Sequence, residues 1–120
     1  MAARALIVDD NEVARFLIRN FLETLGYEVV AEADTQIAAM DAYGAHKPDV
    51  VILDLALEFD DGMTILRELR KVNASVKVII VSGNSQKAMV QELMQEGAAG
   101  FLAKPFDLQG FKQVVEQALR

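Results

Sequence analysis

The sequence predicts an α/β domain: a doubly wound, five-stranded parallel sheet in the order 2-1-3-4-5, with five helices covering it. Two observations carry the alternation of strand and helix, and the order 2-1-3-4-5 is one that doubly wound sheets commonly take. Short apolar runs that end in a polar residue recur along the chain: Ala5-Leu6-Ile7-Val8 before Asp9-Asp10, Val50-Val51-Ile52-Leu53 before Asp54, Val78-Ile79-Ile80-Val81 before Ser82, and Phe101-Leu102-Ala103 before Lys104. The segments between them space their apolar residues at a helical period. Strand and helix in alternation form a parallel sheet whose right-handed crossovers place helices on both faces.

The first strand is expected over residues 5–8. After Asp9-Asp10-Asn11, the apolar residues Val13, Phe16, Leu17, Phe21 and Leu25 outline a helix, and Gly26 sits where a left-handed C-terminal cap belongs. Residues 27–33 read as a second strand, less apolar and so nearer the sheet edge. Asp34 or Thr35 can cap a short Ala-rich helix running to about Ala45, which Lys47-Pro48 closes.

The third run, Val50-Val51-Ile52-Leu53, has the continuous apolar character of a strand buried on both faces, so it belongs in the middle of the sheet. An ionised carboxylate is costly to desolvate, which puts Asp54 at the strand's end. Leu55 to Gly62 is a loop with an Asp-Gly turn signal, and Ile65, Leu66, Leu69 and Val72 then mark the third helix. Residues 76–81 form the fourth strand, followed by the loop Ser82-Gly83-Asn84-Ser85. A helix with Met89, Val90, Leu93 and Met94 inward stops at Gly97, and residues 100–103 make the last strand. Lys104-Pro105 breaks it, and Asp107 can cap a final helix with Leu108, Phe111, Val115, Ala118 and Leu119 on one face. Gly110 weakens that helix by about 1 kcal/mol relative to Ala.

With 120 residues, half of them apolar, residues 1–120 are expected to fold as one domain with its own core. No apolar run approaches the roughly 18 residues that cross a bilayer, and the first strand begins too early for a signal peptide, so a cytoplasmic location away from membranes is expected. The absence of cysteine removes thiol and disulfide chemistry, and a single His cannot build a zinc site alone. His46, beside Lys47 at the end of the second helix, reads as a surface residue. A net charge of −6 without a basic run argues against direct nucleic-acid binding. Proteins or cations are the better partners.

In a parallel sheet the strand ends share one edge, and ligands bind there near the point where strand order reverses. That edge would gather Asp9, Asp10, Asp54, Ser82 and Lys104. Clustered carboxylates repel strongly and either take up protons or recruit a cation. Mg2+ suits oxygen donors of this kind and binds together with a phosphate oxygen. Lys104 suits another phosphoryl oxygen and Ser82 offers a hydroxyl donor, so the set fits phosphoryl transfer, which needs chiefly positioning and charge neutralisation. Taken singly, Asp9 and Asp10 are ordinary helix-capping residues before Glu12, Ser82 a turn residue and Lys104 a solvated charge. Jointly those readings lose force.

The chain resembles the CheY-like receiver domains of two-component response regulators, on Asp9-Asp10, Asp54, Ser82 and Lys104-Pro105 at successive strand ends. The resemblance covers the whole chain. It implies that Asp54 is the phosphoacceptor, taking a phosphoryl group from a phosphohistidine of a sensor histidine kinase or phosphotransfer protein. It also implies that Asp10, Asp54 and the backbone carbonyl of Ala56 ligate Mg2+, with Asp9 assisting, and that Lys104 pairs with the phosphoryl group. Ser82 and Phe101 then occupy the switch positions, and the fourth helix, fifth strand and fifth helix form the readout face. Through that face the domain would act on a downstream protein, an attached output domain or a phosphorylation-dependent homodimer. Such a domain catalyses its own phosphorylation and dephosphorylation without being a turnover enzyme.

One departure stands out: many receivers carry Pro four residues after the phosphoacceptor, and here Glu58 begins the acidic run Glu58-Phe59-Asp60-Asp61. Ala56 and Asn84 occupy positions that tune phosphoryl loss in the family. A Mg2+-dependent phosphatase or mutase using Asp54 is disfavoured, because such enzymes commonly need an acid/base Asp at the position of Ala56. A flavodoxin-like flavin or nucleotide binder fits poorly, since without a metal Asp9-Asp10-Asn11-Glu12 repels a phosphate. The alternative kept is a degenerate receiver that acts as a phosphorylation-independent interaction module.

Overall fold

The structure, a computed structural model, describes residues 2–120. Its elements follow one another as β1 (Arg4–Val8), α1 (Glu12–Thr24), β2 (Glu28–Ala33), α2 (Gln36–His46), β3 (Val50–Asp54), α3 (Gly62–Val72), β4 (Lys77–Ser82), α4 (Lys87–Gln95), β5 (Gly100–Ala103) and α5 (Leu108–Ala118). All strand pairs are parallel, in the order β2-β1-β3-β4-β5. The fold is the doubly wound α/β sandwich that the alternating pattern predicts.

Strand side chains alternate between the two faces, and this splits the interior into two cores. Leu6, Val8, Val51, Leu53, Val78 and Ile80 pack under Ala39 and Tyr43 of α2, Ile65, Leu66 and Leu69 of α3, and Leu93 of α4. Ala5, Ile7, Val50, Ile52, Ile79 and Val81 pack on the other face under Ile18 and Leu22 of α1 and Phe111 and Val115 of α5. Every residue of β3 is buried, so both its faces must be apolar until the chain leaves the sheet at Asp54. The edge strand β2, by contrast, buries only Ala33 fully.

Caps set the helix starts. Asn11 accepts from the Ala14 amide, Thr35 from Ala38, Asp61 from Met63 and Asp107 from Gly110. With Asn11 as the α1 cap, Asp9 and Asp10 are free for other work. Gly26 and Gly97 follow α1 and α4 at φ of 90° and 99°, where a side chain would be strained. Asn73 Nδ2 donates to the Tyr43 hydroxyl at 3.1 Å and ties the end of α3 to α2.

The inward stripe of α1 differs from the sequence expectation. Val13, Phe16 and Leu17 are exposed, whereas Ile18 and Leu22 are buried and Phe21 and Leu25 pack beside them. The helix has two overlapping apolar stripes, and the one that reaches α5 wins: Phe21 meets Phe106 and Phe111 with ring centroids 6.0 and 5.6 Å away. Val72 and Met94, also expected inward, lie at the outer margins of α3 and α4 and are exposed.

Candidate functional site

The carboxyl ends of β1, β3, β4 and β5 deliver the expected residues to one edge of the sheet. Asp54 closes β3 and is almost wholly buried. Its Oδ2 accepts from Lys104 Nζ at 2.9 Å and its Oδ1 from the Ala56 amide at 3.0 Å. The Lys104 side chain is more than a third exposed, so it reaches from the rim down to a buried acceptor. A cis Lys104-Pro105 peptide follows β5.

Asp9 lies just beyond β1 with no exposed surface. Its Oδ1 accepts from the Asn11 amide at 2.9 Å, while Oδ2 is buried without any hydrogen-bond partner. Burial pushes the Asp9 carboxyl up to a pKa of about 6 and the neighbouring Asp54 charge adds to this, against the Asn11 amide and Lys104, which pull it down. A carboxylate left this way is poised to take a proton or a cation. Asp10, half-buried, turns to the loop after β3, where its Oδ2 accepts from the Glu58 amide at 2.5 Å.

Ser82 ends β4, buried, and its Oγ accepts from the Asn84 amide at 3.0 Å. The Lys104 amide donates to the Ser82 carbonyl at 2.9 Å, so the β4–β5 ladder itself sets Lys104 beside Ser82. Phe101 is half-buried in β5 and packs on the core beneath α4 together with Met89. Ala56 is exposed and pairs with Asp61 in an isolated antiparallel bridge. Behind it, Gly62 lies so close to the chain that a Cβ there would stand 2.7 Å from Leu55 Cα.

Three contributors escaped the sequence reading. Arg15 Nη1 donates to the Asp9 carbonyl at 2.7 Å, and its guanidinium pairs with Glu32 of β2 at 3.3 Å. Arg19 also pairs with Glu32. The signal available was the Arg15, Arg19 spacing on one helix face opposite an acidic residue of the neighbouring strand. The third is the Glu58 amide, for which a sequence offers no sign beyond a residue that is not proline.

The donors at this edge are carboxylate and carbonyl oxygens with one buried oxygen unsatisfied, a set that fits a hard divalent cation such as Mg2+. Among the described residues, no three His, Cys, Asp or Glu side chains already encircle a metal position. The buried acid, the ammonium against it and the adjacent hydroxyl form one polar cluster at the carboxyl edge of the sheet.

Residues 5–116 match the model of the response regulator receiver domain, and the chain belongs to that family. It is CheY-like. The chemotaxis protein CheY of Bacillus subtilis is 37% identical over 119 residues, covering 99% of both chains. Among solved structures, the CheX-CheY-BeF3-Mg2+ complex from Borrelia burgdorferi superposes with a TM-score of 0.94 at 25% identity, covering 98% of this chain and 90% of that one. A LuxR-family two-component response regulator from Aurantimonas sp. SI85-9A1 gives a TM-score of 0.92 at 30% identity over 99% of this chain and 86% of its own. Receiver domains are response regulators rather than classical enzymes, and the family generally uses Mg2+ for phosphorylation. No helix among the described residues is long and apolar enough to cross a membrane.

Proposed function

We propose that residues 1–120 act as one receiver domain in which Asp54 accepts a phosphoryl group from the phosphohistidine of a sensor histidine kinase or phosphotransfer protein. One observation carries the reading: a buried carboxylate at a strand end, 2.9 Å from a lysine ammonium, beside a second buried carboxylate with an unpaired oxygen. An Asp54 oxygen attacks phosphorus in line, the P–N bond to the donor imidazole breaks as the P–O bond forms, and the imidazole leaves and takes a proton from solvent. Asp9, Asp10, Asp54 and the Ala56 carbonyl would hold Mg2+, which would supply positive charge to the phosphoryl oxygens. Lys104 exchanges its bond to Asp54 for one to a phosphoryl oxygen, and the Ser82 hydroxyl donates to another.

Those new acceptors bias a two-state element. Ser82 turns from its role as acceptor for Asn84, and Phe101 follows inward, which reshapes the face made by α4, β5 and α5. That face controls a downstream protein, an attached output domain or a phosphorylation-dependent homodimer, and in this reading the domain works in the cytoplasm. Water later removes the phosphoryl group, at a rate tuned by Ala56 and Asn84.

Intact mass after incubation with acetyl phosphate tests the chemistry. The expected result is a gain of one phosphoryl group that needs Mg2+ and is lost in Asp54→Asn. No gain under any condition, with no response to a stable phosphoryl mimic either, turns the reading to a phosphorylation-independent interaction module.

A further inference from the structure

Glu58 stands four residues after Asp54, and its amide donates to Asp10 Oδ2, a hydrogen bond to a charged acceptor. The rest of the β3–α3 loop is pinned independently. Asp61 pairs with Ala56 and accepts from the Met63 amide and the Thr64 hydroxyl, while Asp60 Oδ2 accepts from the Gln36 amide at 3.0 Å and so anchors the loop to α2. The Glu58 bond therefore joins the tip of the loop to the turn after β1. Beside it Phe59 is 84% exposed, so packing does little to hold that tip down.

Each of the acidic side chains meanwhile already accepts a hydrogen bond. Asp54 is held by Lys104 and the Ala56 amide, Asp9 Oδ1 by the Asn11 amide and Asp10 by Glu58. A divalent cation at this edge needs carboxylates turned toward it. We propose that the Glu58 amide is a latch on Asp10: it holds that carboxylate in the loop-bound orientation, in competition with a divalent cation, so that metal binding releases the Phe59-bearing tip. The inference rests on the metal-dependent reading above. It makes metal occupancy readable at the loop surface before any phosphoryl group arrives.

Proline has no amide hydrogen, so Glu58→Pro removes the latch, whereas Glu58→Gln removes the same side-chain charge and keeps the donor. Mg2+ is titrated calorimetrically into wild type and both variants, and the wild-type Glu58 amide is followed by NMR. A hydrogen bond to a charged group is strong enough that Glu58→Pro is expected to bind Mg2+ about ten-fold tighter than Glu58→Gln. In wild type, Mg2+ is expected to shift the Glu58 amide resonance and speed its hydrogen exchange. Equal or weaker binding by Glu58→Pro overturns the latch alone, as does a wild-type Glu58 amide that stays unshifted and protected at saturating Mg2+. Should the proline variant fail to fold, the wild-type amide decides. Failure of all three proteins to bind Mg2+ overturns the latch together with the metal reading.

Discussion

Asp9→Asn measures how much stability the site gives up to hold its buried charge. The Asp9 carboxyl has no exposed surface, its Oδ2 has no partner, and its pKa is raised from 3.8 to about 6. Between those two values the folded chain keeps a proton that the unfolded chain has lost, so stability falls as pH rises through the window. The penalty is absent below the unfolded value and complete above the folded one. At about 1.36 kcal/mol per unit it reaches about 3 kcal/mol as an upper bound. Asn cannot ionise, retains an oxygen for the Asn11 amide and offers an N–H toward the Asp54 carboxylate. In the presence of chelator the variant is therefore expected to be more stable than wild type at neutral pH by about 1–3 kcal/mol, or about 4 °C in Tm per kcal/mol. The difference shrinks toward zero as pH falls toward 4. Urea unfolding followed by circular dichroism across this range gives the comparison. A variant no more stable than wild type at pH 8, or a difference that does not change with pH, refutes the reasoning.

Other substitutions probe separate parts of the argument. Gly62→Ala brings a methyl group against the Leu55 backbone, which cannot yield as a side chain does, and is expected to cost about 1–3 kcal/mol in urea unfolding. In α1, Ile18→Ala is expected to cost about 2–4 kcal/mol, whereas Phe16→Ala, at a residue 64% exposed, changes stability by less than about 0.5 kcal/mol. Equal losses at the two positions would mean that α1 packs on its other stripe. Phe101→Ala is expected to leave phosphorylation of Asp54 intact in the mass assay and to weaken partner binding; unchanged binding in both phosphorylation states removes Phe101 from the readout.

The strand ends were legible because the physical signals there are strong and local. A run such as Val50-Val51-Ile52-Leu53 has no stable place except between two helical layers, and a charge after it must sit where the chain leaves the interior. Helices with one clear stripe were legible for the same reason: α3 buries Ile65, Leu66 and Leu69 as its spacing predicts. The α1 face was not. Val13, Phe16 and Leu17 compete with Ile18 and Leu22 at the same period, and the choice depends on the phenylalanines of α1 and α5 meeting on one face of the sheet.

The sequence by itself determined the alternation of strand and helix, the burial of the central strand, and the delivery of Asp9, Asp10, Asp54, Ser82 and Lys104 to strand ends. Each follows from hydrophobic period and the cost of burying charge, which act within a few residues. Only the tertiary structure decided the partners those groups take: Lys104 on Asp54, Arg15 between the Asp9 carbonyl and Glu32, and the Glu58 amide on Asp10. All but the Arg15 bond to the Asp9 carbonyl join residues far apart in the chain, and the last uses a backbone group that every residue but proline carries. Their geometry is set by strand order and loop path, which no local pattern encodes.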